Sequence, residues 1–214
     1  MKKSDRGTVE LIKHRASEKK FVLRSFCGNA EVCRRLLNCT CRNLPEIYEV
    51  AADGDQNLVL EEYIRGDNMG DMLKGALFTQ EETRQIVRGL CSGLWGLHQA
   101  GAVHRDVKPE NIILRGSDAV LIDFDAARLH KPDCGGDTQI LGTTGYAAPE
   151  QYGLSQSDAR SDIYALGIVI NVMLTGEHPS RRLADGRFGR IVTRCTQVNP
   201  AKRYKTVLHL LDEL

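Results

Sequence analysis

The chain has 214 residues, of which 42% are apolar and 27% charged, which suits a soluble globular protein with one large domain or two small lobes. Its net charge of +1 makes no case for nucleic acid or an anionic membrane as the main partner. The longest apolar run, residues 163–174, is interrupted by Asn171 and is too short to span a bilayer, and residues 1–6 lack the apolar core of a signal peptide.

In chain order, residues 7–24 alternate like a hairpin, with strands at 8–11 and 21–24 and a turn over 16–20. Residues 29–39 predict a short helix capped by Asn29, with Val32, Cys33, Leu36 and Leu37 on its apolar face. Leu44-Pro45 ends it. Residues 47–50 and 58–60 read as strands joined by the turn Asp53-Gly54-Asp55, and residues 65–68 read as a linker. Thr79 and Glu82 form a capping box that opens a long helix carrying Ile86, Leu90, Leu94 and Leu97 on one face, with Gly101 as its C-cap. Residues 120–122 make a short buried strand after the turn Gly116-Ser117-Asp118. Residues 129–141, with a proline and two glycines, read as a flexible loop. Residues 163–174 are apolar nearly all round, which marks a buried helix ended by Gly176 and Pro179. A basic stretch over 181–194 and a closing helix over 208–214 complete the chain.

Seven cysteines, an odd number, fit reduced thiols in the cytoplasm. Cys33, Cys39 and Cys41 cluster near Cys27, but not with paired Cys-x-x-Cys spacing. Free or buried thiols are the expectation, and a zinc site the alternative.

Chemistry concentrates at residues 104–111, which read His-Arg-Asp-Val-Lys-Pro-Glu-Asn between apolar runs. An acid (Asp106), a cation (Lys108) and an amide (Asn111) lie within six residues. Phosphoryl transfer calls for these types together: a carboxylate for the attacking hydroxyl, a cation for the transferred group, and a carboxamide oxygen for magnesium. Three further blocks follow in order: Ile122-Asp123-Phe124-Asp125, then Gly142 to Glu150 ending Ala148-Pro149-Glu150, then Ser161-Asp162-Ile163 at the start of the buried helix.

These four blocks resemble the protein kinase family, of the serine/threonine type, strongly over residues 94–174 and weakly before residue 60. The resemblance implies an α+β, two-lobed fold: a truncated sheet lobe over residues 1–64 and a mainly helical lobe over 65–214. It implies ATP and Mg2+ as cofactors and a protein substrate, which includes the chain itself. Asp106 would act on the substrate hydroxyl and Lys108 on the phosphoryl, while Asn111 and Asp123 would hold magnesium. Gly7 and Val9 resemble the tail of the phosphate loop, with Val9 over the adenine. The backbone of Glu62 and Ile64 would bond the adenine edge. Arg24 stands where the family has a phosphate-binding lysine, and Glu31 would pair with it; the bland readings are a solvated strand-end cation and a solvated helix glutamate. Asp162 would tie down the catalytic loop, Arg203 would pair with Glu150, Thr143 would sit near the catalytic acid, and Thr138 is a candidate phosphorylation site beside Arg105.

The chain departs from the family at Arg24, at Asp125 (a glycine in the family), and in the first strand and leading glycines, for which only six residues precede Gly7. These departures motivate a second reading, a pseudokinase that binds nucleotide or a partner without turnover. A third reading, a kinase of small molecules, is opposed by Lys108-Pro109-Glu110 and Ala148-Pro149-Glu150.

Overall fold

The computed structural model describes residues 2–4, 7–37, 39–129, 143–152 and 156–214. Its first part is an antiparallel sheet in the order β1-β2-β3-β5-β4. The strands are β1 (Lys2–Ser4), β2 (Gly7–Lys13), β3 (Lys20–Cys27), β4 (Ile47–Asp53) and β5 (Gln56–Glu62), with helix α1 (Glu31–Leu36) between β3 and β4. The expectation that the first strand is missing is corrected: β1 pairs with β2, Lys2 opposite Val9 and Ser4 opposite Gly7. Three residues suffice because β2 is already held on its other side along its whole length by β3. Gly7 is needed there for a steric reason: its φ is +152°, and a Cβ would lie 2.1 Å from the Ser25 carbonyl oxygen. The expected N-cap, Asn29, lies one residue outside α1: Ala30 holds the N-cap position without a side-chain cap bond, and Asn29 Oδ1 accepts from Glu31 N at 2.7 Å.

The second part holds β6 (Asp67–Asn68), α2 (Met69–Met72), α3 (Gln80–Gln99), β7 (Ala102–Val103), β8 (Ile112–Arg115), β9 (Asp118–Leu121), β10 (Arg128–Leu129), α4 (Ala159–Thr175), α5 (Gly186–Cys195) and α6 (Val207–Leu211). Strands β6, β8 and β9 form one small sheet, and β7 pairs with β10. The supposed linker is thus half structured, since Asp67 and Asn68 pair with Leu114 and Ile113. Helix α3 has the expected capping box: Thr79 N donates to Glu82 Oε2 at 2.8 Å and Glu82 N to Thr79 Oγ1 at 3.3 Å. It closes at Ala100, one residue before Gly101.

Helix α4 is buried over most of its surface and forms the centre of the core with Leu90, Leu94 and Leu97 of α3. Gly176, at φ +72°, ends it in the left-handed conformation that the Gly-Pro signal predicts. The polar interruption, Asn171, is fully buried and fully used. Its Nδ2 donates to the carbonyls of Glu177 (2.8 Å) and Arg182 (2.7 Å), and its Oδ1 accepts from Ala184 N (2.8 Å). The basic stretch conceals α5, which buries Phe188, Ile191, Val192 and Cys195, a helical spacing that its arginines mask.

The six described cysteines are free, and burial pushes the thiols of Cys33 and Cys91 up to about 12. Among the described residues no three His, Cys, Asp or Glu side chains gather to hold a metal, so the zinc alternative has no support there. No helix of the described residues is long and apolar enough to cross a membrane.

Glu150 and Arg203 form the buried pair expected from the sequence. Nη1 and Nη2 of Arg203 donate to Oε1 and Oε2 at 2.6 and 2.9 Å, and Ser161 Oγ donates to Oε1 at 2.7 Å. Burial alone would raise the Glu150 carboxyl, but Arg203 and Ser161 outweigh it and hold it below its ordinary value. A folded value below the unfolded one means stability that is present above the unfolded pKa and lost as pH falls through the folded pKa. Arg203→Ala leaves Glu150 buried without a cation and should lower stability by about 3–5 kcal/mol in urea unfolding at neutral pH. A loss under ~1 kcal/mol would show that the pair carries no such burden.

Candidate active site

Residues 104–111 follow α3 through β7 and are fastened by α4. Asp162, fully buried in the first turn of α4, accepts from His104 N at 2.9 Å and from Arg105 N at 2.8 Å. Its Oδ2 also bonds His98 Nε2 of α3 at 2.8 Å. One carboxylate at the positive end of a helix therefore holds the last turns before the reactive residues. Arg105 sits at φ +69°, a strained position for a side-chain-bearing residue, and Gln151 Nε2 holds its carbonyl at 2.8 Å. Burial pushes the His104 ring below its ordinary pKa. Its Nε2 donates to the Ile122 carbonyl at 3.2 Å and its Nδ1 accepts from Asp106 N at 3.3 Å, which fixes the tautomer. The ring also meets Phe124 edge-on at 5.8 Å. Two of the sequence blocks are thereby locked together.

Above this base, four side chains close on one another. Thr143 Oγ1 donates to Asp106 Oδ1 at 2.7 Å and accepts from Lys108 Nζ at 2.7 Å. Lys108 Nζ is also 2.7 Å from Asp106 Oδ2. Asn111 Nδ2 donates to the Asp106 carbonyl at 2.9 Å and to its Oδ2 at 3.0 Å. Burial would raise the Asp106 carboxyl, but Lys108 and Thr143 together hold it below its ordinary value. Asp106 is therefore an anion, oriented on both oxygens. Thr138 and the rest of residues 130–142 lie outside the described residues.

The second cluster forms around Arg24. Its side chain is 11% exposed, so the solvated-cation reading is excluded. Nε donates to Glu61 Oε1 at 2.7 Å, and Nη1 lies 3.2 Å from both Asp123 Oδ1 and Asp125 Oδ1. The expected pairing with Glu31 is corrected: Glu31 faces outward on α1, 3.7 Å from Arg35, with its side chain 42% exposed. An i,i+4 partner on its own helix was available, whereas Arg24 points from the sheet toward β5. Burial works against both charges of the Arg24–Glu61 pair. Three carboxylates outweigh it for Arg24, whose pKa is raised. One guanidinium does not outweigh it for Glu61, whose carboxyl is pushed up. Asp123 stands at φ +71°, whereas Asp125 is not among the residues with positive φ. An aspartate in place of glycine at position 125 therefore brings no backbone strain.

Val9 lies directly opposite Arg24 in the β2–β3 ladder, so the two share a face of the sheet. The Glu62 N–H is committed to the Glu46 carbonyl at 2.8 Å, and its Oε1 accepts from Arg115 Nη1 at 2.8 Å. Ile64 is buried just beyond the end of β5. Glu61 is not the partner of Arg24 expected from the sequence. The signal was present as a charged residue at an inward position of an alternating strand, 57, 59 and 61 being its buried positions.

The donor set has the chemistry that magnesium takes. Asn111 commits its amide nitrogen to Asp106, and the Asn111 main-chain carbonyl accepts from Ile122 N at 2.9 Å, next to Asp123. An amide oxygen and a carboxylate on adjoining segments are the hard oxygen ligands that magnesium takes.

The protein kinase domain family matches residues 6–210. The chain belongs to that family. It is 31% identical to the serine/threonine-protein kinase PknL of Mycobacterium tuberculosis, over 93% of this chain and 55% of that protein. It is 27% identical to a probable serine/threonine-protein kinase of Clostridium acetobutylicum, over 96% of this chain and 35% of that protein. The chain thus spans about a third to about half the length of these two relatives.

Asp162→Ala should orphan two buried backbone N–H groups and the His98 ring. Each orphaned donor costs about 1–3 kcal/mol. Urea unfolding should therefore show a loss above ~2 kcal/mol, and a loss under ~1 kcal/mol would place the anchor of the loop elsewhere.

Proposed function

We propose that the chain transfers the terminal phosphoryl group of ATP to a serine or threonine hydroxyl of a protein. The observation that carries this is the closed set Asp106–Thr143–Lys108–Asn111. Asp106, anionic and aimed by hydrogen bonds, accepts the hydroxyl proton in the transition state. Lys108, beside it, offsets charge on the transferred group. Asn111 and Asp123 supply the magnesium ligands, and bound magnesium neutralises charge on the phosphates. Arg24 faces the phosphates, Gly7 and Val9 roof the site, and the Glu62 carbonyl with the Ile64 amide takes the adenine edge.

Relatives named as protein kinases support a protein substrate over a small molecule. The pseudokinase reading drew on the missing leading glycines, Arg24 and Asp125; of these, Arg24 and Asp125 are bonded to each other in the site, and neither has a positive φ. The same reading divides the chain at residues 64 and 65, supported by β5 ending in one sheet at Glu62 and β6 beginning in another at Asp67. Free thiols suit a cytoplasmic setting.

Incubation with labelled ATP, magnesium and a generic protein substrate tests the proposal. Label on a serine or threonine, including one of the chain itself, is the expected result. Nucleotide binding without transfer would establish the pseudokinase instead. Asp106→Asn should abolish transfer and leave ATP affinity near that of the parent, because the carboxylate acts in the transition state. Asp123→Asn should weaken magnesium-dependent binding and turnover together. An Asp106→Asn protein that keeps most of its activity would remove Asp106 from the mechanism.

A further inference from the structure

Arg24 has a neighbour that no motif identifies. Strands β3 and β5 pair antiparallel with Arg24 opposite Val59 and Val22 opposite Glu61. Arg24 and Glu61 are therefore diagonal neighbours on one face, a separation that two long side chains bridge. They meet at 2.7 Å, with side chains 11% and 6% exposed. Buried charges in a sheet are costly, and an apolar residue at position 61 would pack there more cheaply. In the family pattern the strand cation is oriented by an acid on the helix that follows the strand. Here that helix is α1, and its acid is turned to Arg35.

We propose that Glu61 is the positioning residue that aims Arg24 at the ATP phosphates, so that this cation is set within the sheet and independently of α1. The inference rests on the reading of the chain as an ATP-dependent phosphotransferase. The guanidinium makes the arrangement feasible because it has two working edges. Nε is held laterally by Glu61, while Nη1 projects to Asp123 and Asp125. Nη1 is the edge that exchanges these carboxylates for phosphate oxygens, and Nε is the edge that stays fixed. A lysine has three donors, but all on one nitrogen, so it cannot meet its acid and its phosphate from two separate edges. The pairing lies between hydrogen-bonded strands, so its geometry varies only as far as the sheet does. Glu61 does not touch the reacting atoms. It acts through Arg24.

The test compares Glu61→Gln, Glu31→Gln, Arg24→Ala and the double variant Arg24→Ala/Glu61→Gln. A fluorescent ATP analogue is titrated with magnesium to give Kd, and transfer assays give kcat and KM for ATP. Glu61→Gln is nearly isosteric, and its Tm is recorded beside the parent. Loss of a charge-assisted contact corresponds to about one to two decades in affinity. Glu61→Gln should raise Kd and KM for ATP by about ten-fold or more, with a smaller change in kcat. Glu31→Gln should stay within about two-fold. The double variant should bind no worse than Arg24→Ala alone, because Glu61 has no route to ATP except through Arg24. Glu61→Gln binding ATP like the parent, with or without a lower Tm, would reduce Glu61 to a structural role and overturn the proposal. A loss in Glu31→Gln equal to that in Glu61→Gln would overturn it as well. A parent chain that binds the analogue and transfers nothing would sink the kinase reading, while Kd would still decide the Glu61 comparison.

Discussion

The carboxylate of Asp162 is the contact on which the site depends. It is fully buried at the start of the most buried helix, and its bonds go to consecutive backbone amides, His104 and Arg105, and to a ring on α3. A buried anion with satisfied partners is tolerated at a helix start, where the N–H dipoles add to the side-chain donors. The consequence reaches upward. With residues 104 and 105 pinned, Asp106 cannot drift, and the left-handed turn at Arg105 presents it toward Thr143 and Lys108. Strain at a residue tied on both sides persists because the surroundings leave it no alternative.

The sheet and the helical part are joined by polar bonds as well as by apolar packing. Leu121 N donates to the Asn43 carbonyl at 2.9 Å, and Asn43 Nδ2 donates to the Ala119 carbonyl at 2.8 Å. Arg115 reaches both Glu62 and the Arg42 carbonyl. These bonds place β9, which delivers Asp123, against the end of the segment that delivers the sheet. The distance from Arg24 to Asp123 is therefore governed by two independent ties: this backbone seam and the β3–β5 ladder.

Much of this is legible in the sequence. The capping box at Thr79, the buried helix and the Glu150–Arg203 pair follow from local pattern or motif, and each appears in the fold. What failed shares a physical cause. Strand β1, the strand character of Asp67–Asn68 and the partner of Arg24 are all set by pairing between strands, which no short window of sequence contains. Helix α5 was missed for another reason. Its apolar face has the right spacing, but five arginines over residues 181–194 dominate the composition and drew attention to charge.

The departures from the family pattern change meaning once they are placed in space. Arg24 and Asp125 lie 101 residues apart, and each taken alone suggests a damaged site. In the fold they are partners at 3.2 Å, and Glu61 completes the group on the other edge of the guanidinium. A lysine at position 24 would put its single charge among three carboxylates with only one nitrogen to share. Arginine offers separate nitrogens to each side, so the acid at 125 and the acid at 61 are tolerable because position 24 is arginine. The extra carboxylates in turn hold the Arg24 charge against burial. Replacements that balance one another in this way describe a site whose cation is held between acids on both of its edges, rather than one left without its charge.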